Sequence, residues 1–269
     1  MARTPLARTT VRDALDSALI ALTAAGCETP RLDAEVLLAA ALGVDRAVLF
    51  SDPGRGVAPE PFREFARRRA QREPVAYILG RKGFRRLELE VDPRVLIPRP
   101  ETEHVVEAAL RLPRGARVVD VGTGSGAIAL ALADERPDLR VTATESSPGA
   151  LAVARANGAR LGLEVEWLLG DLLEPVTGHV DAVVSNPPYV RAGARLEPEL
   201  AYEPAEALYA GPDGLEVYRR LVSALAGVPF VALEVGAGQA LDVAALLGEF
   251  TTEVVNDLAG IGRVVMGRR

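Results

Sequence analysis

The chain has 269 residues, 49% hydrophobic and 25% charged, which suits a soluble globular protein of one large domain or two modest ones. One cysteine, Cys27, excludes an internal disulfide, and two histidines far apart in sequence, His104 and His179, offer no metal-ligand spacing. The net charge of −6 is uneven, with +2 over residues 1–112 and −8 over 113–269.

The start, MARTPLARTT, has no apolar h-region, and no apolar run approaches the roughly 18–20 residues of a bilayer span. The expectation is a cytoplasmic protein with no membrane association. Val11, Leu15, Leu19 and Leu22 form one stripe of an amphipathic helix that ends near Gly26. PRLDAEVLLAAALG predicts a second helix, started by Pro30 and stopped by Gly43. SDPGRGVAPEP is a loop by composition, and PEPFREFARRRAQRE a third, highly charged helix. Residues 61–86 hold nine basic side chains against Glu64 and Glu73; they form either a patch for a polyanion or acidic partner, or a solvated helix face. Residues 1–75 therefore read as a helical recognition domain.

Residues 83–97 alternate like a short hairpin with its turn near Asp92-Pro93, and PRPETEHVVEAALRL opens a helix with an acidic first turn. Residues 76–112 thus form a hairpin and linker helix ahead of a catalytic domain over 113–269. From Arg117 the pattern becomes strand, helix, strand. RVVDVG, RVTATE, EVEWLL, VDAVVS and FVALEVG are β-rich runs, most of them separated by helical segments, which predicts a parallel α/β sheet covered on both faces. TTEVVND and GRVVMGRR stand too close for a parallel crossover and must pair antiparallel.

VVDVGTGSGAIALALA sets Gly122, Gly124 and Gly126 between a strand and a helix, where backbone approaches a ligand closely. Glu145, ending the next strand, can accept from both hydroxyls of a ribose, in an S-adenosyl-L-methionine (SAM) enzyme or an NAD enzyme alike. The antiparallel ending favours SAM, because dinucleotide-binding sheets are usually parallel throughout. Asp171, at a third strand end, is placed to accept from an adenine amino group, or is a plain N-cap or turn residue.

The strand VDAVVS stops at Asn186-Pro187-Pro188-Tyr189, and neither proline can continue a ladder. These residues belong on the ligand-binding rim. A planar NH2 group is a poor nucleophile, and the Asn186 side-chain oxygen and the Pro187 carbonyl can take its two N–H bonds. Its lone pair is then aimed at a sulfonium methyl, with Tyr189 as a wall. Catalysis would be mostly orientation, worth up to about 7–11 kcal/mol in favourable cases.

NPPY, DVGTGSGAIALALA, LIPRPETE and EPVAYILG together resemble the HemK/PrmC family of bacterial release factor glutamine methyltransferases, as do YEPAEALYAGPDGLEVYRRL, LEVGAGQ and DLAGIGRVVMGR. The resemblance implies a Rossmann-like SAM-dependent methyltransferase fold, a mostly parallel seven-stranded sheet with an antiparallel last strand, plus a small N-terminal helical domain that grips the substrate. It implies methylation of the side-chain amide nitrogen (N5) of the glutamine in the Gly-Gly-Gln loop of class I peptide-chain release factors, with S-adenosyl-L-homocysteine as product, no metal and no nucleic acid required. By the same resemblance Gly122, Thr123, Gly124, Ser125 and Gly126 hold the methionine and ribose, Glu145 the ribose, and Asp171 and Leu172 the adenine. Asn186, Pro187, Pro188 and Tyr189 hold the glutamine, with Asn186 also near the cofactor; Arg99, Glu101 and Thr102 sit against the cleft without individual roles. Glu145 departs from the Asp of many relatives. The runner-up is an amino-group methyltransferase acting on adenine or guanine in nucleic acid, against which stand the acidic catalytic half and only 4% aromatic residues.

Overall fold

A computed structural model describes residues 9–57 and 60–269. Most of the MARTPLARTT start, and Ala58 and Pro59 of the expected loop, lie outside the described residues. Contacts divide the chain into two units, Met1–Gly80 with Pro198–Tyr202, and Arg81–Glu197 with Glu203–Arg269.

The first unit contains helices α1 (Val11–Ala24), α2 (Pro30–Leu42), α3 (Arg46–Ser51), α4 (Phe62–Ala70) and α5 (Val75–Leu79). Thr10 caps α1 in a reciprocal capping box with Asp13, Pro30 opens α2, and Gly43 ends it at φ +63. The buried face of α1 is Val11, Ala14, Ala18 and Leu22, while Leu15 and Leu19 are only half-buried. The expected stripe thus holds at its ends, Val11 and Leu22, while Ala14 and Ala18 replace Leu15 and Leu19 at its centre. Leu22, Leu37, Leu38 and Leu49 form the centre of this core, each worth roughly 1.5–3 kcal/mol of burial.

The basic stretch is in part the solvated helix face, with Arg63 and Arg67 of α4 exposed, and in part something neither reading foresaw. Arg67 pairs with Glu64, Arg68 with Glu73, Arg85 with Glu135 and Arg86 with Asp134. Arg69 lies in the interior, donating to Asp33 at 2.7 Å and to Glu199 at 2.8 Å, and Arg72 donates to both oxygens of Glu199. Internal carboxylates neutralise most of the charge.

The second unit opens with a hairpin of β1 (Arg81–Phe84) and β2 (Leu87–Glu90). Its turn is at Arg85-Arg86, not at Asp92-Pro93. Arg85 takes φ +50 there, held by its backbone N–H to Glu103 and its guanidinium to Glu135. Asp92 instead makes a separate turn by accepting from the Arg94 N–H. Pro100–Thr102 is a short 3-10 turn leading into α6 (Glu103–Ala109).

The rest alternates: β3 (Arg117–Val121), α7 (Ala127–Glu135), β4 (Arg140–Glu145), α8 (Pro148–Leu161), β5 (Glu166–Leu169), β6 (Ala182–Ser185), α9 (Glu216–Ser223), β7 (Phe230–Glu234), α10 (Ala240–Leu246), β8 (Thr251–Asn256) and β9 (Gly262–Arg268). The seven-stranded sheet has the order β5-β4-β3-β6-β7-β9-β8. β9 inserts between β7 and β8 and runs antiparallel to both, so the expected reversed last strand is present. Alternate residues feed opposite cores: Val118, Val184 and Ala232 on one face, Val119, Val183 and Val231 on the other. Because β3, β4, β6 and β7 are parallel and in register, Gly122, Glu145, Asn186 and Glu234 fall in one row at their carboxyl ends. Among the described residues no helix is long and apolar enough to cross a membrane.

Candidate active site at the carboxyl rim of the sheet

A cavity opens beyond that row, lined by Gly122, Gly124, Glu145, Asp171, Leu172, Asn186, Pro187 and Pro188 among others. Ligands of open parallel sheets bind at this end of the strands. Gly122 and Gly124 take φ +71 and +58, and a Cβ on either would meet no protein atom within 4 Å. Their backbone is therefore a bare floor on which a ligand can lie directly. Glu145, 8% exposed, accepts from the Gly124 N–H at 2.9 Å and the Ser147 N–H at 2.9 Å. One backbone bond to each oxygen fixes the carboxylate at the cavity wall and leaves lone pairs for hydroxyl donors.

Three loop residues do something else. Thr123 is buried and donates to Asp120 at 2.6 Å; Ser125 is buried, and its carbonyl accepts from Asn157. Gly126 packs inward, where a Cβ would come within 2.9 Å of Leu130 and 3.2 Å of Trp167. None of the three borders the cavity. Burial pushes the Asp120 carboxyl up to about 7, against the pull of its bonds from Thr123 and the Ala129 N–H, and its Oδ1 has no partner.

Asp171 and Leu172 do border the cavity, but Asp171 is ion-paired with Arg220, a further cavity residue that sequence reasoning missed. Leu172 takes φ +48, a left-handed conformation that costs a β-carbon residue on the order of 1–2 kcal/mol. Strained backbone of this kind gathers at ligand sites. Arg94, Val95 and Pro204 complete other parts of the wall.

Asn186 is half-buried, and its Nδ2 donates to Thr102 Oγ1 at 3.0 Å. That leaves Oδ1 as the accessible end of the amide. Ser185, just before it, is buried and donates to the Val121 carbonyl at 2.6 Å, tying the start of the turn to β3. Tyr189 does not border the cavity; its ring packs against the core under α9 and α10, and its carbonyl accepts from Gln239. Burial pushes its phenol up to about 12.

The IPRPETE residues acquire places. Arg99 pairs with Glu203, whose other oxygen accepts from the Ile97 N–H at 2.9 Å. Glu101 lies 3.9 Å from Arg263, and Thr102 holds Asn186. The sequence signal for Thr102 was the motif itself; nothing in its spacing pointed 84 residues ahead to Asn186. Among the described residues there is no cluster of His, Cys, Asp or Glu able to hold a metal ion.

An open sheet with one reversed strand, bearing a glycine floor and an Asn-Pro-Pro turn on its carboxyl rim, is the architecture of a methyltransferase. The Methyltransferase small domain family model matches residues 102–209, and the PrmC N-terminal domain model matches residues 13–80. The chain belongs to the release factor glutamine methyltransferase family. It is 48% identical over 222 residues to "Release factor glutamine methyltransferase" of Mycolicibacterium smegmatis, covering 80% of this chain and 79% of that one. It is 42% identical over 276 residues to the protein of the same name from Koribacter versatilis, covering 97% and 99%. A solved methyltransferase from Pyrococcus furiosus shares the fold at TM-score 0.51 and 20% identity, over 68% of this chain and 88% of that one.

Proposed function

We propose that the protein transfers the methyl group of SAM to the N5 side-chain amide nitrogen of the glutamine in the Gly-Gly-Gln motif of class I peptide-chain release factors. The observation that carries this reading is the juxtaposition on one rim of a glycine floor, a fixed carboxylate and an asparagine with its oxygen left accessible. The names of the relatives, which agree over almost the whole chain, support the same substrate.

The residues present fit the cofactor. The Gly122–Gly124 backbone would lie under its methionine and ribose, Glu145 would accept from the ribose hydroxyls, and Asp171 and Leu172 would border the adenine. When bound, SAM supplies an electrophilic methyl group on a sulfonium sulfur. The Asn186 Oδ1 and the Pro187 carbonyl accept the two N–H bonds of the substrate amide and orient its nitrogen. Transfer would break the sulfonium S–CH3 bond, leave S-adenosyl-L-homocysteine as a neutral thioether, and release one amide proton toward one of the two oxygens that hold the N–H groups, the Asn186 Oδ1 or the Pro187 carbonyl. No strong general base is needed beforehand, which suits a rim with no histidine among its lining residues. Tyr189 supports the turn through its packing and its carbonyl rather than walling the substrate.

Methylation of an amino group in a nucleic-acid base would use the same acceptor pair. The internal neutralisation of the basic stretch supports the protein substrate, because few free cations remain there to track phosphates. The test is incubation with release factor and SAM, followed by mass analysis of the Gly-Gly-Gln peptide. A gain of one methyl on glutamine is expected; an unmodified peptide, with SAM shown to bind, would overturn the reading.

A further inference from the structure

Two stretches have no use in the scheme above, the IPRP of residues 97–100 and the Glu203-Pro204 of YEPAEAL. Pro98 and Pro100 keep the first extended, with Arg99 at φ −98 and ψ 146, and neither proline has an N–H to offer. Ile97 is 4% exposed and Glu203 6%. The Glu203 carboxylate joins the two stretches: Oε2 accepts from the Ile97 N–H at 2.9 Å and Oε1 from the Arg99 guanidinium. Both of its oxygens are used, as the burial of a carboxylate demands.

Neither Glu203 nor Arg99 borders the cavity, but the chain beside them does. Arg94, Val95 and Leu96 precede Ile97 and form one wall; Pro204, Glu206 and Ala207 follow Glu203 and form another. Each wall is anchored at its far end. Asp92 fixes the start of the first, its side chain accepting from the Arg94 N–H and its carbonyl from the Val95 N–H. The second ends in a pairing with Val190, whose N–H donates to the Leu208 carbonyl and whose carbonyl accepts from the Ala210 N–H, both at 2.8 Å. Glu203 joins the two other ends, so one side chain ties together walls about a hundred residues apart in sequence.

We propose that Glu203 is a positioning residue that holds the two walls at the separation SAM requires, with Arg99 fixing its carboxylate. Without its bonds, fewer molecules have both walls in place, and apparent SAM affinity falls by that fraction. The amide-binding turn is held separately, because Ser185 ties the residue before Asn186 to the Val121 carbonyl of β3. Bound SAM restores the walls, so the loss is one of binding and turnover at saturation is kept. This rests on the reading of the cavity as a SAM site.

The test measures SAM affinity by calorimetry, KM for SAM and kcat at saturating SAM in Glu203→Ala, Arg99→Ala and Arg99→Lys. Glu203→Ala is expected to weaken SAM binding and raise its KM about tenfold, with kcat within about twofold. Arg99→Ala, which keeps the Ile97 bond, is expected to do so about threefold, and Arg99→Lys to restore wild-type values. A merely structural role would lower the unfolding midpoint and leave the KM of the folded protein unchanged. Wild-type SAM affinity in Glu203→Ala or Arg99→Ala, or a kcat that falls as far as affinity does, overturns the proposal. If Glu203→Ala does not fold, Arg99→Ala against Arg99→Lys decides. Hydrogen exchange of the Ala207 N–H, which donates to the Pro204 carbonyl, needs no ligand. It is expected to speed about tenfold in Glu203→Ala while the Val190 and Ala210 amides keep their rates, and an unchanged Ala207 rate also overturns the proposal. If the wild-type protein fails to bind SAM or leaves the Gly-Gly-Gln glutamine unmethylated, the functional reading fails, while the exchange still decides whether Glu203 holds the walls.

Discussion

Both units bury ionisable side chains, and apart from Glu203, which pairs with Arg99, the two units treat the most enclosed of them in opposite ways. In the helical unit Arg69 is enclosed by Asp33 and Glu199, with Arg72 on the same Glu199, so each buried charge faces a counter-charge. Burial raises the Glu199 carboxyl, but the hydrogen bonds from Arg72 and Arg69 outweigh it and hold it down at about 2. In the catalytic unit Asp120 and Glu234 are buried without an ion-pair partner, each keeps one oxygen unbonded, and burial pushes both up to about 7. Paired buried charge is consistent with a structural device, whereas unpaired buried carboxyls gather where a site needs them. Both of these carboxyls stand within or beside the rim.

The largest expected effect isolates the site from the scaffold. Asn186→Ala should cut methyl transfer by about 100-fold or more, a loss typical of removing one preorganised polar contact, with SAM affinity nearly unchanged by calorimetry. Lost SAM binding would assign Asn186 to the structure of the cavity instead.

Next is the buried cluster of the helical unit. Arg69→Ala strands Asp33, leaving Glu199 to Arg72 alone, and should cost about 3–5 kcal/mol in urea unfolding of the full chain. Arg69→Met with Asp33→Leu should recover most of that loss, since the buried pair becomes apolar while Glu199 keeps its bonds from Arg72. A single mutant as stable as wild type would show that the cluster does not enclose its charges.

The same contrast predicts opposite pH slopes. Glu199, lowered on folding, adds stability above its unfolded value near 4.5 that is lost as pH falls toward about 2. Glu234, raised from 4.5 to about 7, binds its proton more tightly when folded, so its contribution is complete below pH 4.5 and is lost as pH rises to 7. The loss is on the order of 3 kcal/mol. Unfolding of Glu234→Gln between pH 4.5 and 7 should show a flatter decline than wild type. Equal slopes would mean that Glu234 titrates alike in both states.

How much of this was legible follows from where each signal resides. The sheet strands stood out because burial on both faces makes them continuous Val-rich runs, and Gly122, Glu145 and Asn186 were readable as strand-end residues of chemically suitable type. The helices Arg46–Ser51 and Val75–Leu79 were missed because five or six residues carry no 3.6-residue period. The Arg85-Arg86 turn was missed because arginine is not a turn former; its conformation depends on Glu103 and Glu135, which are distant in sequence. Thr102 and Arg220 act through tertiary contacts, and no local pattern encodes those. Thr123 and Ser125 have the right composition for a ligand loop, yet face inward to hold Asp120 and Asn157.

The smallest effect is expected two residues from one of the largest. Arg67 and Arg69 lie on the same helix, and both make short bonds to carboxylates, Arg67 to Glu64 at 2.6 and 2.8 Å. The Arg67 side chain is 58% exposed and Glu64 49%, whereas that of Arg69 is 6% exposed. Water and salt already stabilise the exposed pair when it is broken, and holding two long side chains together costs entropy. Arg67→Ala should therefore leave the unfolding midpoint within error of wild type at 0.15 M salt, beside the large loss in Arg69→Ala. Similar losses in both would mean that bond geometry, and not burial, decides what an arginine contributes to this helix.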